Sequence, residues 1–166
     1  MQTADYWIEK LEMQRHPEGG YFKETYKCVE DIEGNALPAR FEGNRSMSTA
    51  IYFLLRKEDF SAFHKIKSDE IWHFYEGQRL EIFYFDENGK FETILLGRNS
   101  EKGEVFQAVV PANCWFGSRV ASGSDYALVG CTVAPGFDFQ DFEMAERDKL
   151  IADYPQFGEI ILQLTH

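Results

Sequence analysis

From residue 48 to residue 134 the chain is a succession of short apolar or alternating runs, broken by turn residues and with no helical pattern between them. The runs cover 48–55, 60–67, 70–76, 79–86, 91–96, 105–111, 115–120 and 126–134. Each has the length of a strand and is too short for an independent helix. Near-regular spacing of so many strands points to two sheets packed face to face or closed into a barrel. Asp86-Glu87-Asn88-Gly89 is the clearest hairpin signal, because an Asn-Gly pair supplies the positive φ angles such turns require. A further strand is expected at 21–28. The aromatic content, 15 Phe, 8 Tyr and 3 Trp, suits this reading, since aromatic side chains pack well on pleated surfaces.

The flanks follow another pattern. Thr3 is placed to cap a helix running to about residue 13, with Tyr6, Trp7, Ile8 and Leu11 on its apolar side. His16-Pro17-Glu18-Gly19-Gly20 is a turn, and 29–45 reads as an exposed polar loop. Residues 141–154 carry Phe142, Ala145, Leu150 and Ile151 among charges and predict an amphipathic helix stopped by Pro155. A last short helix is expected over 156–164. No repeat or linker interrupts the chain, so 1–166 reads as one domain.

Seventeen basic and 28 acidic residues leave a formal charge of −11. Such a surface repels phosphate backbones and anionic lipid, so neither nucleic acid nor membrane is an expected partner. Cys28, Cys114 and Cys131 are widely spaced and include no CxxC pair, which argues against a disulfide framework or a structural zinc site. Without a signal segment or a long apolar run, the expected location is the cytoplasm.

The chemistry centres on His64, Glu70 and Gly77, spaced within His64-Lys-Ile66-Lys-Ser-Asp-Glu70-Ile-Trp72-His73-Phe-Tyr-Glu76-Gly77. This resembles the first motif of the cupin superfamily, His-x-His, a few residues, Glu, six residues, Gly. Pro111-Ala112-Asn113-Cys114-Trp115-Phe116 resembles the second, Pro-x-Gly-x-x-His, with Asn113 at the Gly position; both residue types tolerate the left-handed backbone region. The stretches 16–26, 68–77, 109–118 and 129–139 are similar to those of one subfamily of RmlC-like cupins that has no firmly assigned activity. The resemblance implies a mainly β fold, the cupin double-stranded β-helix or jelly-roll barrel, with a short N-terminal helix and one or two C-terminal helices.

Metal-binding cupins hold their ion with three His and one Glu. Here Ile66 and Phe116 stand at two of those positions, so no cofactor is expected, and His64 with Glu70 would make only a weak divalent-metal site. His73, three residues beyond Glu70, falls on the opposite face of the strand by alternation. His16 reads as a turn-stabilising residue and His166 as terminal and exposed.

The metal-independent keto-sugar epimerases are also cupins, and use a pocket His as base and a Tyr as acid. Their first strand carries Arg-Gly-x-Phe-x-Glu. Gly20, Phe22 and Glu24 match it, while Gly19 replaces the Arg that helps hold the nucleotide diphosphate. The resemblance therefore implies His64 as general base with Glu70 orienting it or acting as the second proton-transfer group, on a sugar-like or keto substrate. Glu24, Tyr52, Trp72 and Gln107 are the candidate substrate-binding residues; for Trp72 the core reading outweighs the pocket one, because large aromatics dominate packing, and Gln107 reads equally as a strand-edge hydrogen-bonding residue. The alternatives are a non-catalytic cupin that binds a small ligand and, further off, a metal-dependent dioxygenase or isomerase. The expected partners are a small molecule and a second copy of the chain.

Overall fold

The structure is a computed structural model that describes residues 2–166. After α1 (Ala4–Lys10) the chain runs through β1 (Gln14–Arg15), β2 (Tyr21–Lys27), β3 (Asp31–Ile32), β4 (Arg45–Ser46), β5 (Thr49–Arg56) and β6 (Phe60–Lys65). It continues through β7 (Asp69–Gly77), β8 (Leu80–Phe85), β9 (Phe91–Leu96), β10 (Gln107–Val110), β11 (Phe116–Val120), β12 (Tyr126–Ala134) and β13 (Glu143–Met144). It closes with α2 (Arg147–Asp153) and α3 (Gly158–Gln163). Thr3 caps α1 as its residue type predicts, its hydroxyl accepting the Tyr6 amide at 3.2 Å.

Two antiparallel sheets face each other, one of six strands in the order β1-β2-β5-β12-β7-β10 and one of five in the order β13-β6-β11-β8-β9. Side chains alternate along each strand, so every second residue enters the space between the sheets. Phe53, Leu55, Trp72, Ile82, Leu96, Phe116 and Val129 fill it. The outer face of the five-stranded sheet is apolar as well. There Phe63 and Phe85 are buried beneath Leu150 of α2 and Ile161 of α3. On the six-stranded sheet α1 covers one end only, placing Trp7, Ile8 and Leu11 over Leu54 and Leu128.

Two turns position the motif strands. Gly77 ends β7 with φ 90°, and a Cβ there would strike the Tyr126 carbonyl. Asn113 takes φ 62°, the left-handed conformation that glycine would otherwise provide.

The helix expected from residue 141 begins instead at Arg147. Tertiary contacts override its periodicity: Asp141 is drawn inward to Arg45, with contacts of 2.6 Å to Nε and to Nη2. Glu143 and Met144 then pair with Lys65 and His64 as an added strand. The loop expected over 29–45 includes the short pair β3–β4 and is pinned by the same Arg45, which is 2% exposed. Among the described residues, no helix is long and apolar enough to cross a membrane.

Candidate functional site

Between the sheets, at the end where β2, β5 and the segment after β12 converge, lies a cavity of about 650 Å³, counting its open mouth. His64, Glu70 and Trp72 line it together with Glu18, His16 and Glu24. Phe22, Phe53, Phe137 and Phe139 supply much of the wall.

His64 enters from β6, 2% exposed, with its ring 4.1 Å from that of Phe116 and 5.2 Å from that of Phe142. Its Nδ1 lies 2.7 Å from the Ala62 carbonyl oxygen, which accepts only, so Nδ1 carries the proton. Nε2 is 3.1 Å from Glu18 Oε2. Burial lowers the His64 pKa to about 4, against the opposing effect of the Ala62 hydrogen bond, and keeps the ring neutral. In a neutral ring with Nδ1–H, Nε2 is an acceptor, and the proton between it and Glu18 must come from the carboxyl. Burial raises the Glu18 pKa, in agreement with a protonated carboxyl there.

Glu18 owes its position to the turn 16–20. Gly19, at φ 114°, brings the backbone so close to β6 that a Cβ would strike the Phe60 carbonyl. The Ala62 amide donates to the Glu18 carbonyl at 2.8 Å, and the Ser61 hydroxyl donates to Glu18 Oε1 at 2.8 Å. His16 completes the turn, its Nδ1 accepting from the Glu18 amide at 3.3 Å and lying 3.4 Å from Oε2. Burial lowers the His16 pKa too, leaving a neutral ring with its proton on Nε2.

Glu70 and Trp72 point inward from β7, two residues apart, and the indole Nε1 donates to Glu70 Oε2 at 3.1 Å. Burial pushes Glu70 up to about 8, so it is a carboxylic acid at neutral pH. The thiol of Cys131, opposite Trp72 on β12, is a further hydrogen-bond neighbour of Glu70, and burial raises it well above its ordinary value.

The sequence places His64, Glu70, Trp72 and Glu24 in one pocket, and the structure brings those four together. It does not join His64 to Glu70. Glu18 is the carboxyl at His64, while Glu70 is held by Trp72. Tyr52 and Gln107 lie outside the cavity. On β5 the inward residues are Thr49, Ile51 and Phe53, so alternation turns Tyr52 outward against Tyr75. Gln107 pairs across from His73 and its amide meets His73 Nδ1 at 3.1 Å on the same outer face. His73 itself points outward, its Nε2 3.1 Å from the Thr132 hydroxyl. Glu18 is the site residue that sequence reasoning missed, and His16, expected to stabilise the turn, does so and lines the cavity as well. The signal for Glu18 was the Gly19-Gly20 pair, whose positive φ angles permit the close approach to β6.

The donor set does not fit the metal of the metal-binding cupins. Ile66 and Phe116 are buried core residues, 4% and 1% exposed, and His64 directs its free nitrogen at Glu18. Among the described residues, no group of three or more His, Cys, Asp or Glu side chains is arranged to hold an ion.

Comparison with known proteins agrees with the fold. The chain is 37% identical to a structurally determined protein of Shewanella oneidensis, covering 100% of this chain and 99% of the other with a TM-score of 0.90. A hypothetical protein from Leishmania major is 33% identical over 99% of both chains, with a TM-score of 0.89. An uncharacterized protein of Saccharomyces cerevisiae is 30% identical over 143 residues, 81% of this chain and 71% of that one. Oxalate decarboxylase from Bacillus subtilis shares the fold alone, at 15% identity and a TM-score of 0.55 over 90% of this chain and 36% of its own. Residues 5–145 match the family described as Cupin superfamily (DUF985), and the chain belongs to that family.

Proposed function

We propose that the cavity binds a small sugar-like or keto compound and moves a proton on it, as a metal-independent isomerase or epimerase. The supporting observation is that one aromatic-walled cavity holds two titratable groups displaced in opposite directions. Neutral His64, whose Nε2 lone pair a ligand must win from the Glu18 proton, is the group able to take a proton from the carbon beside a carbonyl. Protonated Glu70 is the group able to donate to the carbonyl oxygen. Together they would convert carbonyl to enol, and return of a proton to carbon would give the isomer. Separation of two pKa values by environment is how one site provides an acid and a base at the same pH.

The test is solvent exchange. Keto-sugars and simple cyclic ketones incubated with the protein in D₂O should take up deuterium beside the carbonyl, read by proton NMR. The exchange should be lost in His64→Ala and in Glu70→Gln. Absence of exchange in the unaltered protein, or its persistence in both variants, would sink the reading.

A second reading, a non-catalytic ligand-binding cupin, draws on the engagement of His64 Nε2 by Glu18, which leaves the base occupied in the resting site. A metabolite retained in native mass spectra, unaffected by His64→Ala and with no turnover, favours this reading. Three free thiols, Cys28, Cys114 and Cys131, support a reducing cytoplasmic setting for either.

A further inference from the structure

The cavity's ionisable groups hold almost no net charge. His16 and His64 are neutral, Glu70 is protonated, and Glu18 shares one proton with His64. Glu24, at the exposed end of the lining, is the remaining acid. Among the described residues, none of the lining side chains is Lys or Arg. Cations near the lining in sequence are tied elsewhere, Arg15 to Asp59 at 2.7 Å among them. Arg45 and Lys67 meet Asp141 at 2.6 and 3.6 Å, Lys65 meets Glu143 at 3.1 Å, and Lys23 meets Glu12 at 3.3 Å. A ligand anion entering here would lose its water with no counter-charge waiting, and an unpaired charge in an apolar cavity is costly.

The polar groups left over are donors. His16 Nδ1 is occupied by the Glu18 amide, so the ring proton sits on Nε2, and among the described residues no partner accepts it. The His16 side chain is only 7% exposed, which leaves the cavity as the place for its acceptor. Glu70 offers a second donor, the proton of its carboxyl, beside the indole of Trp72. A donor that faces the cavity and meets no protein acceptor is one that a ligand oxygen can take over from water.

Resting on the reading of this cavity as a small-molecule site, we infer that it takes an uncharged ligand, with a carbonyl or hydroxyl oxygen set on a compact apolar body, and rejects phosphate- and carboxylate-bearing ones. His16 and Glu70 receive the ligand oxygen, and the phenyl walls receive its body.

A matched pair of probes tests this by calorimetry and ligand-observed NMR. 4-Methylcyclohexanone should bind, and 4-oxocyclohexanecarboxylate, similar in shape but anionic, should bind roughly tenfold more weakly or worse. Phe139, 54% exposed at the mouth, offers a variant that leaves the core intact. Phe139→Arg should narrow or reverse the preference by giving the carboxylate a partner. Equal or tighter binding of the carboxylate by the unaltered protein would overturn the inference, as would failure of the ketone to bind up to its solubility limit. Binding and exchange fail separately. A ketone that binds without exchanging counts against the proposed reaction alone, whereas exchange on an anionic substrate counts against this ligand class alone.

Discussion

His64 and Glu70 are both buried and both uncharged at neutral pH, and this gives stability an unusual dependence on pH. Glu70 has its ordinary value of 4.5 in the unfolded chain and about 8 in the fold. Between those values the native state binds more protons, so its contribution is full below 4.5 and is lost as pH rises towards 8. His64 moves the other way, from 6.5 to about 4, and its contribution is full above 6.5 and is lost as pH falls through 4. Over the shared interval the two slopes oppose each other; above 6.5 only the falling one remains of this pair. Glu18, also raised, adds a slope of the same sign as that of Glu70. Urea denaturation at a series of pH values should therefore show stability declining from about 6.5 to 8 by an amount on the order of a few kcal/mol. In Glu70→Gln, whose amide still accepts from Trp72, the decline should be clearly shallower. Parallel curves for the two proteins would mean that Glu70 is already ionised at neutral pH, and the acid of the proposed mechanism would be gone.

The two turns that close the motif strands differ in what they tolerate. Gly77 needs both its φ of 90° and the absence of a Cβ, because the Tyr126 carbonyl fills that space. Gly77→Ala should cost about 2 kcal/mol or more, the sum of strain and collision. Asn113→Gly keeps the left-handed conformation and should change stability by roughly 0.5 kcal/mol or less. Denaturant midpoints measure both, and similar losses at the two positions would refute the distinction. These elements were legible because their causes are local. The apolar run 126–134, the Asn88-Gly89 hairpin and the spacing of His64, Glu70 and Gly77 can all be seen within a few residues. What was not legible has distant causes. Residues 141–146 have a helical pattern, yet Arg45, 96 positions away, captures Asp141, and β6 takes Glu143 and Met144 as a strand. The orientation of Tyr52 turned on a parity that the sequence leaves open until a partner strand sets it. Glu18 joins His64, 46 positions further along the chain, through a turn whose chemistry gives no hint of which strand it will touch.

At the scale of the whole molecule the two sheets are treated unequally. The five-stranded sheet is covered on both faces, whereas the six-stranded one is covered on its outer face only where α1 lies. The open strip carries Ala50 and Tyr52 of β5, Ile71 and His73 of β7, Gln107 and Val109 of β10, and Gly130 and Thr132 of β12. None of these is a carboxylate, in a chain whose net charge is −11. Val109 and Tyr75 are each 47% exposed on it, with Phe106, 60% exposed, just before β10, which ends the sheet order. An uncharged, aromatic strip on an acidic molecule is where two copies can approach with least repulsion, and a two-fold axis would set the strip against itself. We propose that the second partner of this chain is another copy, docked through that strip. Native mass spectrometry should then give twice the 19.3 kDa chain mass. Val109→Glu places a carboxylate near its own symmetry mate in a desolvated interface, where like charges cost several kcal/mol, so that variant should shift to monomer while its ligand binding persists. The cavity opens between the sheets, with Val109 on the far side of one of them, so loss of the dimer and loss of the site are separable. A chain that stays at 19.3 kDa over the full working concentration range, or a Val109→Glu variant that still pairs, would remove the strip as an interface.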